Sequence, residues 1–342
     1  MSWLSKTLER YLFLWLVALS ALAFAWPRVT ELLPGLNGVG DPFLGTSSGM
    51  MSVLIALTMF AIGWMLPRDE VRQVASHWRT VLGGTCVQFA AMPLLAYSMG
   101  HLFGLGGDDF VGMVMVGCVP GAMASNVLTL NARGNTSYSV SLTATATLLS
   151  PLIVPLVLGL ALATAKDVTI PFGKTSGMLL VTVVGPVVTG HLFSRRFPNF
   201  EGQARLCGSV VANVAILWII AAVVGKNREP LSVFRGDVLA ALLTINAGGY
   251  AAGYLGGSTM RLLTGMRRAL TLEVGMQNAG LGATLATQLF PDRPAVAIAP
   301  ALYTFGCMVT GVILARIWAF QSERASRDDS TEMMESTDPD RT

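Results

Sequence analysis

The sequence predicts an all-α membrane protein in which ten helices cross the bilayer. Of its 342 residues, 53% are hydrophobic and only 13% are charged, whereas about 25% are charged in soluble domains. Mean hydropathy is +0.59, and apolar runs reach or exceed the roughly 18 residues typical of a membrane-spanning helix. At roughly 20 residues per span, the chain holds about ten helices and no sizeable soluble domain.

Apolar runs separated by polar breaks place the predicted spans along the chain. The predicted ranges are 11–27, 42–66, 81–103, 110–132, 137–163, 172–193, 207–225, 237–260, 269–290 and 295–319. The first run also fits a signal peptide, but Pro27 and the lack of a polar cleavage region favour a retained helix. Residues 321–342 are polar and charged without apolar periodicity, which predicts a disordered tail after a transmembrane domain of residues 1–320.

The basic residues predict how the helices are oriented. With a cytoplasmic N-terminus, 16 of the 23 Lys and Arg residues fall in inside segments and 7 in outside segments. Because short cytoplasmic loops carry an excess of basic residues, this distribution places both termini in the cytoplasm. The expected location is therefore the cell (inner) membrane.

The composition also excludes several classes of function. The low content of charged residues argues against a nucleic-acid-binding protein. The four cysteines and three histidines form no CxxC motif and no metal-ligand spacing. The cysteines are interpreted as small core residues. No pairing of a nucleophile with a base is recognisable, so no enzyme activity is predicted.

The fourth and ninth predicted spans contain helix breakers and amide side chains. The fourth contains Pro120-Gly121 followed by Ser125-Asn126, and the ninth contains Gly275-Met276-Gln277-Asn278. Each is the fourth of five consecutive spans, and an odd number of spans per half makes the two halves antiparallel. The chain is therefore predicted to contain inverted repeats of about residues 1–163 and 172–320. Interrupted helices at matching positions of such halves are typical of the central site of a transporter.

Glycines in a membrane helix also have a simpler interpretation. Small residues allow two helices to approach closely without forming any binding site. Gly249, Gly253 and Gly257 in the eighth span recur every four residues and are assigned to such packing.

Glu273 is the only one of the 20 acidic residues that lies well inside an apolar run. A charge at the bilayer centre costs about 2.5–3.5 kcal/mol on the insertion scale, and no Lys or Arg lies at comparable depth. A proton or a bound cation must therefore compensate for the charge. Oxygen-bearing side chains in the neighbouring spans favour a hard cation such as Na⁺. These residues are Gln88, Ser125, Asn126, Ser139, Thr143, Thr147, Gln277 and Asn278.

The residues around both breaks resemble those of the bile acid:sodium symporter family. The matching stretches are Gly117-Cys118-Val119-Pro120-Gly121, Ala124-Ser125-Asn126-Val127, Ala132-Arg133-Gly134-Asn135, Ser150-Pro151-Leu152 and Glu273-Val274-Gly275-Met276-Gln277-Asn278-Ala279-Gly280-Leu281. The resemblance implies two inverted five-helix repeats, divided into a panel domain and a core domain whose broken helices cross. It also implies symport of Na⁺ with an organic anion by alternating access.

The resemblance further implies two Na⁺ sites and a set of substrate contacts. The first Na⁺ site would comprise Ser125, Asn126, Ser139, Thr143 and Glu273. The second would comprise Gln88, Glu273, Val274, Met276 and Gln277. The substrate would contact Asn278 and the backbone of Pro120, Gly121, Ala122, Met123 and Ala124.

Two departures from the family pattern bear on the substrate. Cys307-Met308 stand where bile-acid-binding bacterial relatives carry a His-Asn pair in the tenth helix, and Ile245-Asn246 replace a similar pair in the eighth. A bile acid, a pantoate-like acid or another small carboxylate therefore all stay open as the partner anion. One alternative is a proton-coupled carrier or exporter of the same fold, in which Glu273 titrates. Another is a channel, although no ring-like filter motif is present.

Overall fold

The structure is a computed structural model that describes residues 8, 11–33, 35, 40–66, 74, 77–163, 168–197, 200–233 and 235–336. Regular structure in these ranges is helical. The main helices are α1 (Leu12–Leu32), α2 (Ser48–Met65), α3 (Trp78–Leu102), α4 (Gly107–Cys118), α5 (Ala124–Asn131), α6 (Thr136–Ala161), α7 (Phe172–Arg196), α8 (Ser209–Lys226), α9 (Gly236–Thr259), α10 (Thr264–Gly275), α11 (Ala279–Leu289) and α12 (Ile298–Ser336). Shorter helical pieces are Glu201–Gln203, Ala204–Gly208, Arg228–Ser232 and Pro294–Ala297, and α7 contains a π-helical turn at Leu180–Val184.

Each predicted span coincides with one helix or with a pair of helices. Eight helices in the described part of the chain have the length and apolar composition needed to cross a membrane. The fourth and ninth predicted spans are each split, into α4 and α5 and into α10 and α11. The two predicted interruptions are therefore confirmed.

Local side-chain chemistry explains several helix boundaries. Asn135 caps α6 because its Oδ1 accepts a hydrogen bond of 2.9 Å from the Tyr138 backbone N–H. Asn278 caps α11 in the same way, accepting from the Leu281 N–H at 3.0 Å. At the end of α4, Pro120 lacks a backbone N–H and cannot continue the helix.

The C-terminal segment differs from the sequence prediction. Helix α12 continues to Ser336, whereas a disordered tail was predicted from residue 321; residues 337–342 lie outside the described part. Of residues 321–336, seven are Glu, Arg or Met, which favour helix, and seven are Ser, Thr or Asp, which favour it less. Contacts with other helices also hold its start, because Glu323 pairs with Arg133 at 2.9 Å and Ser322 accepts a hydrogen bond from Arg268 at 2.8 Å.

The cysteines are not uniformly core residues. Cys118 and Cys307 are buried, as predicted, but Cys207 is only partly buried and Cys86 is exposed. Cys86 lies on an outward face of α3, where an apolar side chain suits lipid as well as protein. The interpretation of all four as core residues is therefore wrong for Cys86.

The helix–helix contacts form two main groups, and further contacts, such as those of α6 with α7 and of α11 with α2 and α8, connect the two groups. In one group α2 packs against α7 and α8, and α8 also packs against α1. In the other, α3 packs against α4, α6 and α9, while α9 also packs against α10 and α12. In the first group a Cβ added at Gly63 would collide with the Val187 backbone, and one at Gly190 with the Phe60 backbone. These glycines allow α2 and α7 to approach closely.

The glycines of α9 form a seam against α10. A Cβ added at Gly253 would lie 2.7 Å from the Leu270 carbonyl oxygen, and one at Gly249 would lie 3.0 Å from the Gly275 Cα. One at Gly257 would lie 2.9 Å from the Arg267 side chain. Their predicted packing role is confirmed, and this seam positions the half-helix that carries Glu273.

Candidate functional site

The two interruptions meet in what we call the crossover, residues 119–123 and 276–278. The Asn278 N–H donates to the Pro120 carbonyl at 2.8 Å, and the Ala122 N–H donates to the Met276 carbonyl at 2.8 Å. Gly121 and Gln277 thereby form an isolated antiparallel bridge. Non-helical backbone in an apolar environment needs such partners, so the broken helices stabilise each other.

Glu273 lies beside the crossover and is fully buried. Its carboxylate accepts a hydrogen bond of 2.5 Å from Ser125 Oγ, and Thr143 Oγ1 lies 2.8 and 2.9 Å from its two oxygens and can donate to either. The ion pairs between described residues do not include Glu273. Its charge is therefore surrounded by neutral hydroxyls. Gly121 leaves room for it, because an added Cβ there would collide with the carboxylate.

Glu273 belongs to a larger group of oxygens that we call the oxygen cluster, formed by Ser125, Asn126, Ser139, Thr143 and Glu273. Ser139 Oγ donates to Asn126 Oδ1 at 2.7 Å. Thr143 Oγ1 lies within 3.4 Å of four acceptors: both Glu273 oxygens, Asn126 Oδ1 and the Ser139 carbonyl. Ser125 Oγ also faces two acceptors, Glu273 Oε2 and the Ala122 carbonyl.

The oxygen cluster has fewer hydroxyl protons than close oxygen–oxygen contacts. A hydroxyl carries one proton and can donate to one acceptor at a time. The close oxygen–oxygen contacts of Ser125 and Thr143 therefore outnumber the protons available to bridge them. A dense, anionic, all-oxygen environment of this kind suits a hard cation, which attracts several oxygens at once.

We call Gln88 and Gln277 the amide pair. They differ from the oxygen cluster because some of their side-chain polar atoms lack a hydrogen-bond partner among the described residues. Each is 1% exposed. Both side-chain polar atoms of Gln88 and the Oε1 of Gln277 have no hydrogen-bond partner among the described residues. Gln277 Nε2 donates to the Val274 carbonyl at 2.7 Å. Leaving a buried polar group unpaired costs about 1–3 kcal/mol, so these oxygens are available to a ligand.

The position of Gln88 on α3 can be inferred from its helical neighbours. Gly84 and Met92 lie one turn away on the same face. A Cβ added at Gly84 would lie 3.0 Å from the Leu270 side chain of α10. A Cβ added at Gly117 of α4 would lie 2.6 Å from the Met92 carbonyl. Gln88 therefore faces the interior, towards the two half-helices that lead into the crossover.

The other predicted residues are placed as follows. Ala122, Met123 and Ala124 are partly exposed, whereas Pro120 and Gly121 are buried. Asn278 is 8% exposed and its Oδ1 is used to cap α11. Thr147 lies one turn beyond Thr143 and makes no hydrogen bond to Glu273 in the described part of the chain.

Sequence reasoning missed a set of polar residues behind the break in α10. Asn246 and Tyr303 both donate to the Gly275 carbonyl at 2.7 Å. The only signal in the sequence was a lone amide in the eighth span and a tyrosine in the tenth. Nothing in their spacing indicates that they meet.

Comparison with known proteins adds an independent line of evidence. The model of the Sodium Bile acid symporter family matches residues 52–233. The uncharacterized sodium-dependent transporter YocS of Bacillus subtilis (strain 168) is 30% identical over 308 residues, covering 90% of this chain and 90% of the relative.

Two eukaryotic proteins are similar at lower coverage. The ileal sodium/bile acid cotransporter of Oryctolagus cuniculus is 28% identical, covering 78% of this chain and 80% of its own. The probable sodium/metabolite cotransporter BASS1, chloroplastic, of Arabidopsis thaliana is 28% identical, covering 80% of this chain and 68% of its own. These relatives carry the names of transporters or cotransporters rather than of enzymes, in agreement with the sequence-based prediction.

Proposed function

The chain belongs to the sodium bile acid symporter family, a family of sodium-dependent transporters, and from this premise we propose that it couples the uptake of an organic anion to Na⁺. Its family and its eight long apolar helices in the described residues together indicate an integral, multi-pass membrane protein. The observation that carries the proposal is the oxygen cluster: a fully buried carboxylate among neutral oxygens that has no basic partner in the described part of the chain.

The oxygen cluster is the proposed first Na⁺ site, with Ser125, Asn126, Ser139, Thr143 and Glu273 as ligands. Its support is the surplus of oxygen acceptors over protons around Ser125 and Thr143. A Na⁺ ion bound there neutralises Glu273 and draws α5, α6 and α10 together.

The proposed second Na⁺ site uses the amide oxygens of Gln88 and Gln277 together with Glu273 and the carbonyls of Val274 and Met276. The unpaired amide atoms support it. The two carbonyls each accept one hydrogen bond, from Gln277 Nε2 and from the Ala122 N–H. A carbonyl has two lone pairs, so each can still coordinate an ion.

We propose that the anion binds beside the crossover once Na⁺ has ordered it. The partly exposed backbone of Ala122, Met123 and Ala124 and the side chain of Asn278 are the proposed contacts, with Pro120 and Gly121 behind them. The helices that begin at Ala124 and Ala279 direct positive dipole ends at this region, which suits a carboxylate. The relatives' names include bile acid and metabolite transport, so both steroid and small carboxylates are candidate substrates.

We propose that the protein works by alternating access, because α5 and α11 are covered by other helices to different extents. These half-helices occupy matching positions in the proposed inverted repeats, with α1, α2, α7 and α8 as panel and the other helices as core. Helix α11 packs on α2 and α8, and Gln288 hydrogen-bonds to Ser52. In contrast, α5 exposes Val127 (51%) and Leu130 (64%). With both termini in the cytoplasm, this asymmetry supports a state closed to the outside.

The test is an ion-replacement experiment on the purified full-length protein. Thermal stability is measured in NaCl, KCl and choline chloride of equal ionic strength, with and without a panel of bile acids and small organic acids. We expect Na⁺ alone to stabilise the protein, and one class of acid to add stability only with Na⁺. Equal stability in all three salts, or stabilisation by lowering the pH without Na⁺, would instead indicate a proton-coupled carrier.

A further inference from the structure

A second polar network lies against the start of the break in α10. It consists of Asn246 and Tyr250 on α9 and Tyr303 and Thr310 on α12, and we call it the Gly275 network. Asn246 Nδ2 and the Tyr303 hydroxyl each donate to the Gly275 carbonyl at 2.7 Å. Asn246 and Tyr303 are each 1% exposed. The carbonyl of one residue is therefore held by two buried side chains from two helices.

Two further residues of the network, Thr310 and Tyr250, lie behind Asn246. Thr310 Oγ1 donates to Asn246 Oδ1 at 2.6 Å, and the Tyr250 hydroxyl lies 3.1 Å from Thr310 Oγ1. The Gly275 carbonyl can only accept, so the Asn246 amide must present its N–H₂ group to it. Thr310 Oγ1 then lies at the amide oxygen, and the Gly306 and Cys307 carbonyls of α12 are also within 3.3 Å of that hydroxyl.

Gly275 is the last residue of α10, so its carbonyl has no partner within the helix. The chain becomes extended at the next residue, Met276, with φ −116° and ψ 96°. Two donors occupy both lone pairs of the Gly275 carbonyl, which removes it as an ion ligand. The N–H of the same peptide, that of Met276, donates to the Leu272 carbonyl at 3.0 Å, so the peptide plane is held from both sides at the end of the helix.

The residues on either side of Gly275 include the proposed Na⁺ ligands Glu273, Met276 and Gln277. The Met276 carbonyl points to the other strand of the crossover, where it accepts from Ala122, while the Gly275 carbonyl points to α9 and α12. The Gly275 carbonyl and the Met276 carbonyl belong to consecutive peptide units, joined at the Met276 Cα. The ψ angle of Gly275 and the φ angle of Met276 set the direction in which the chain continues, so a change in either would displace the Met276 carbonyl and Gln277.

We infer that Asn246 and Tyr303 are positioning residues for Na⁺ binding: they hold the Gly275 carbonyl so that Glu273, Met276 and Gln277 are oriented towards the proposed ion sites. The inference rests on the proposed function. Without either donor, the bond from the Met276 N–H to the Leu272 carbonyl is the remaining restraint on this peptide among the described residues. The binding-competent orientation is then populated less, and the apparent Na⁺ affinity falls by the fraction of molecules that adopt it.

The test uses Tyr303→Phe, which deletes one hydroxyl and keeps the ring, with Asn246→Ala as a second variant. The thermal stability of each full-length protein is titrated with NaCl against choline chloride. We expect the half-saturating Na⁺ concentration to rise about threefold to tenfold, the range expected for one lost hydrogen bond. At any fixed Na⁺ concentration the gain in stability should be smaller than in the parent protein, but a Na⁺-dependent gain should persist because no proposed ligand has been removed.

Tyr138→Phe is the matched control. Tyr138 is also buried, and its hydroxyl donates to a backbone carbonyl, that of Thr80, at 2.9 Å. This variant should lose thermal stability without a change in half-saturating Na⁺. Equal half-saturation in Tyr303→Phe, Asn246→Ala and the parent protein would overturn the positioning role while leaving the proposed function intact. A parent protein that does not respond to Na⁺ would overturn the proposed function itself.

Discussion

The oxygen cluster and the amide pair both border the crossover, yet their polar atoms are used in opposite ways. Every hydroxyl of the cluster has at least one acceptor within hydrogen-bond distance, as the contacts of Ser125, Ser139 and Thr143 show. Three polar atoms of the amide pair have no partner in the described part of the chain. A hydroxyl can rotate its proton between neighbours, whereas a buried amide without neighbours has no such adjustment.

This difference indicates which part of the site depends on the ion. Without Na⁺, the oxygen cluster is held together by its own hydroxyl protons, while the amide pair remains unsatisfied. Removing a hydroxyl should therefore weaken the ion-free protein, and removing an amide should strengthen it. Both changes should weaken Na⁺ binding, so stability and binding together distinguish the two regions.

The largest effect is expected from Glu273→Gln, which removes the one charge shared by both regions. At a Na⁺ concentration tenfold above the dissociation constant, the parent protein gains about 1.4 kcal/mol of stability. We expect this gain to fall to about 0.4 kcal/mol or less in the variant, because a neutral amide replaces the negative charge and about tenfold weaker Na⁺ binding leaves no more than that. Thermal denaturation in NaCl and in choline chloride measures the difference.

The same variant distinguishes a loss of Na⁺ binding from a loss of folding stability. Glutamine keeps the size of the side chain, and its N–H₂ group can donate to nearby oxygens, so stability in choline chloride should equal or exceed that of the parent. A variant that gains as much stability from Na⁺ as the parent would show that the ion binds elsewhere.

An intermediate effect is expected from Thr143→Val, which removes the hydroxyl that contacts both Glu273 oxygens. The ion-free protein should lose about 1–2 kcal/mol, because the carboxylate loses a donor it cannot replace. Chemical or thermal denaturation in choline chloride measures this loss, and the Na⁺ titration should shift to higher concentration.

Thr58→Val on α2 is the matched control for this change. Thr58 is 1% exposed, and its hydroxyl donates at 2.9 Å to the Leu54 carbonyl of its own helix. Its removal should change stability by no more than about 0.5 kcal/mol. If both valine variants lose the same stability and keep the same Na⁺ response, the oxygen cluster has no special role.

The sequence contained enough information for the spans and the breaks because both depend on local composition. Apolar runs set the helices, and Pro120-Gly121 and the 275–278 segment interrupt them. The burial of Glu273 was also predictable, since it is an acidic residue in a long apolar run. The family resemblance supplied the residues of the two proposed Na⁺ sites and of the substrate contacts. Their roles as ligands stay predictions.

What could not be predicted depends on contacts between distant segments. Ser125 and Glu273 are 148 positions apart, and they meet where the broken helices pack on each other and form the antiparallel bridge. The Gly275 network joins α9, α10 and α12 through single polar residues that carry no motif. The contacts of α12 with Arg133 and Arg268 likewise join segments that composition alone does not place together.

The smallest effect, and the one of opposite sign, is expected from Gln88→Met. Methionine has nearly the same length and volume but no group that needs a hydrogen bond, so the ion-free protein should gain about 1 kcal/mol. Thermal denaturation in choline chloride should show a midpoint raised by about 2 °C. The Na⁺ titration of the same sample should become weaker or lose its cooperativity, because one proposed ligand is gone.

Thr85→Val is the control for this last change, since Thr85 lies on the same helix, is 2% exposed, and donates at 2.9 Å to the Val81 carbonyl. Its polar group is already satisfied, so its loss should give no gain in stability. A destabilised Gln88→Met would mean that the amide has a partner even without Na⁺, such as a buried water. The contrast between the two regions would then disappear, because both would be satisfied in the ion-free protein.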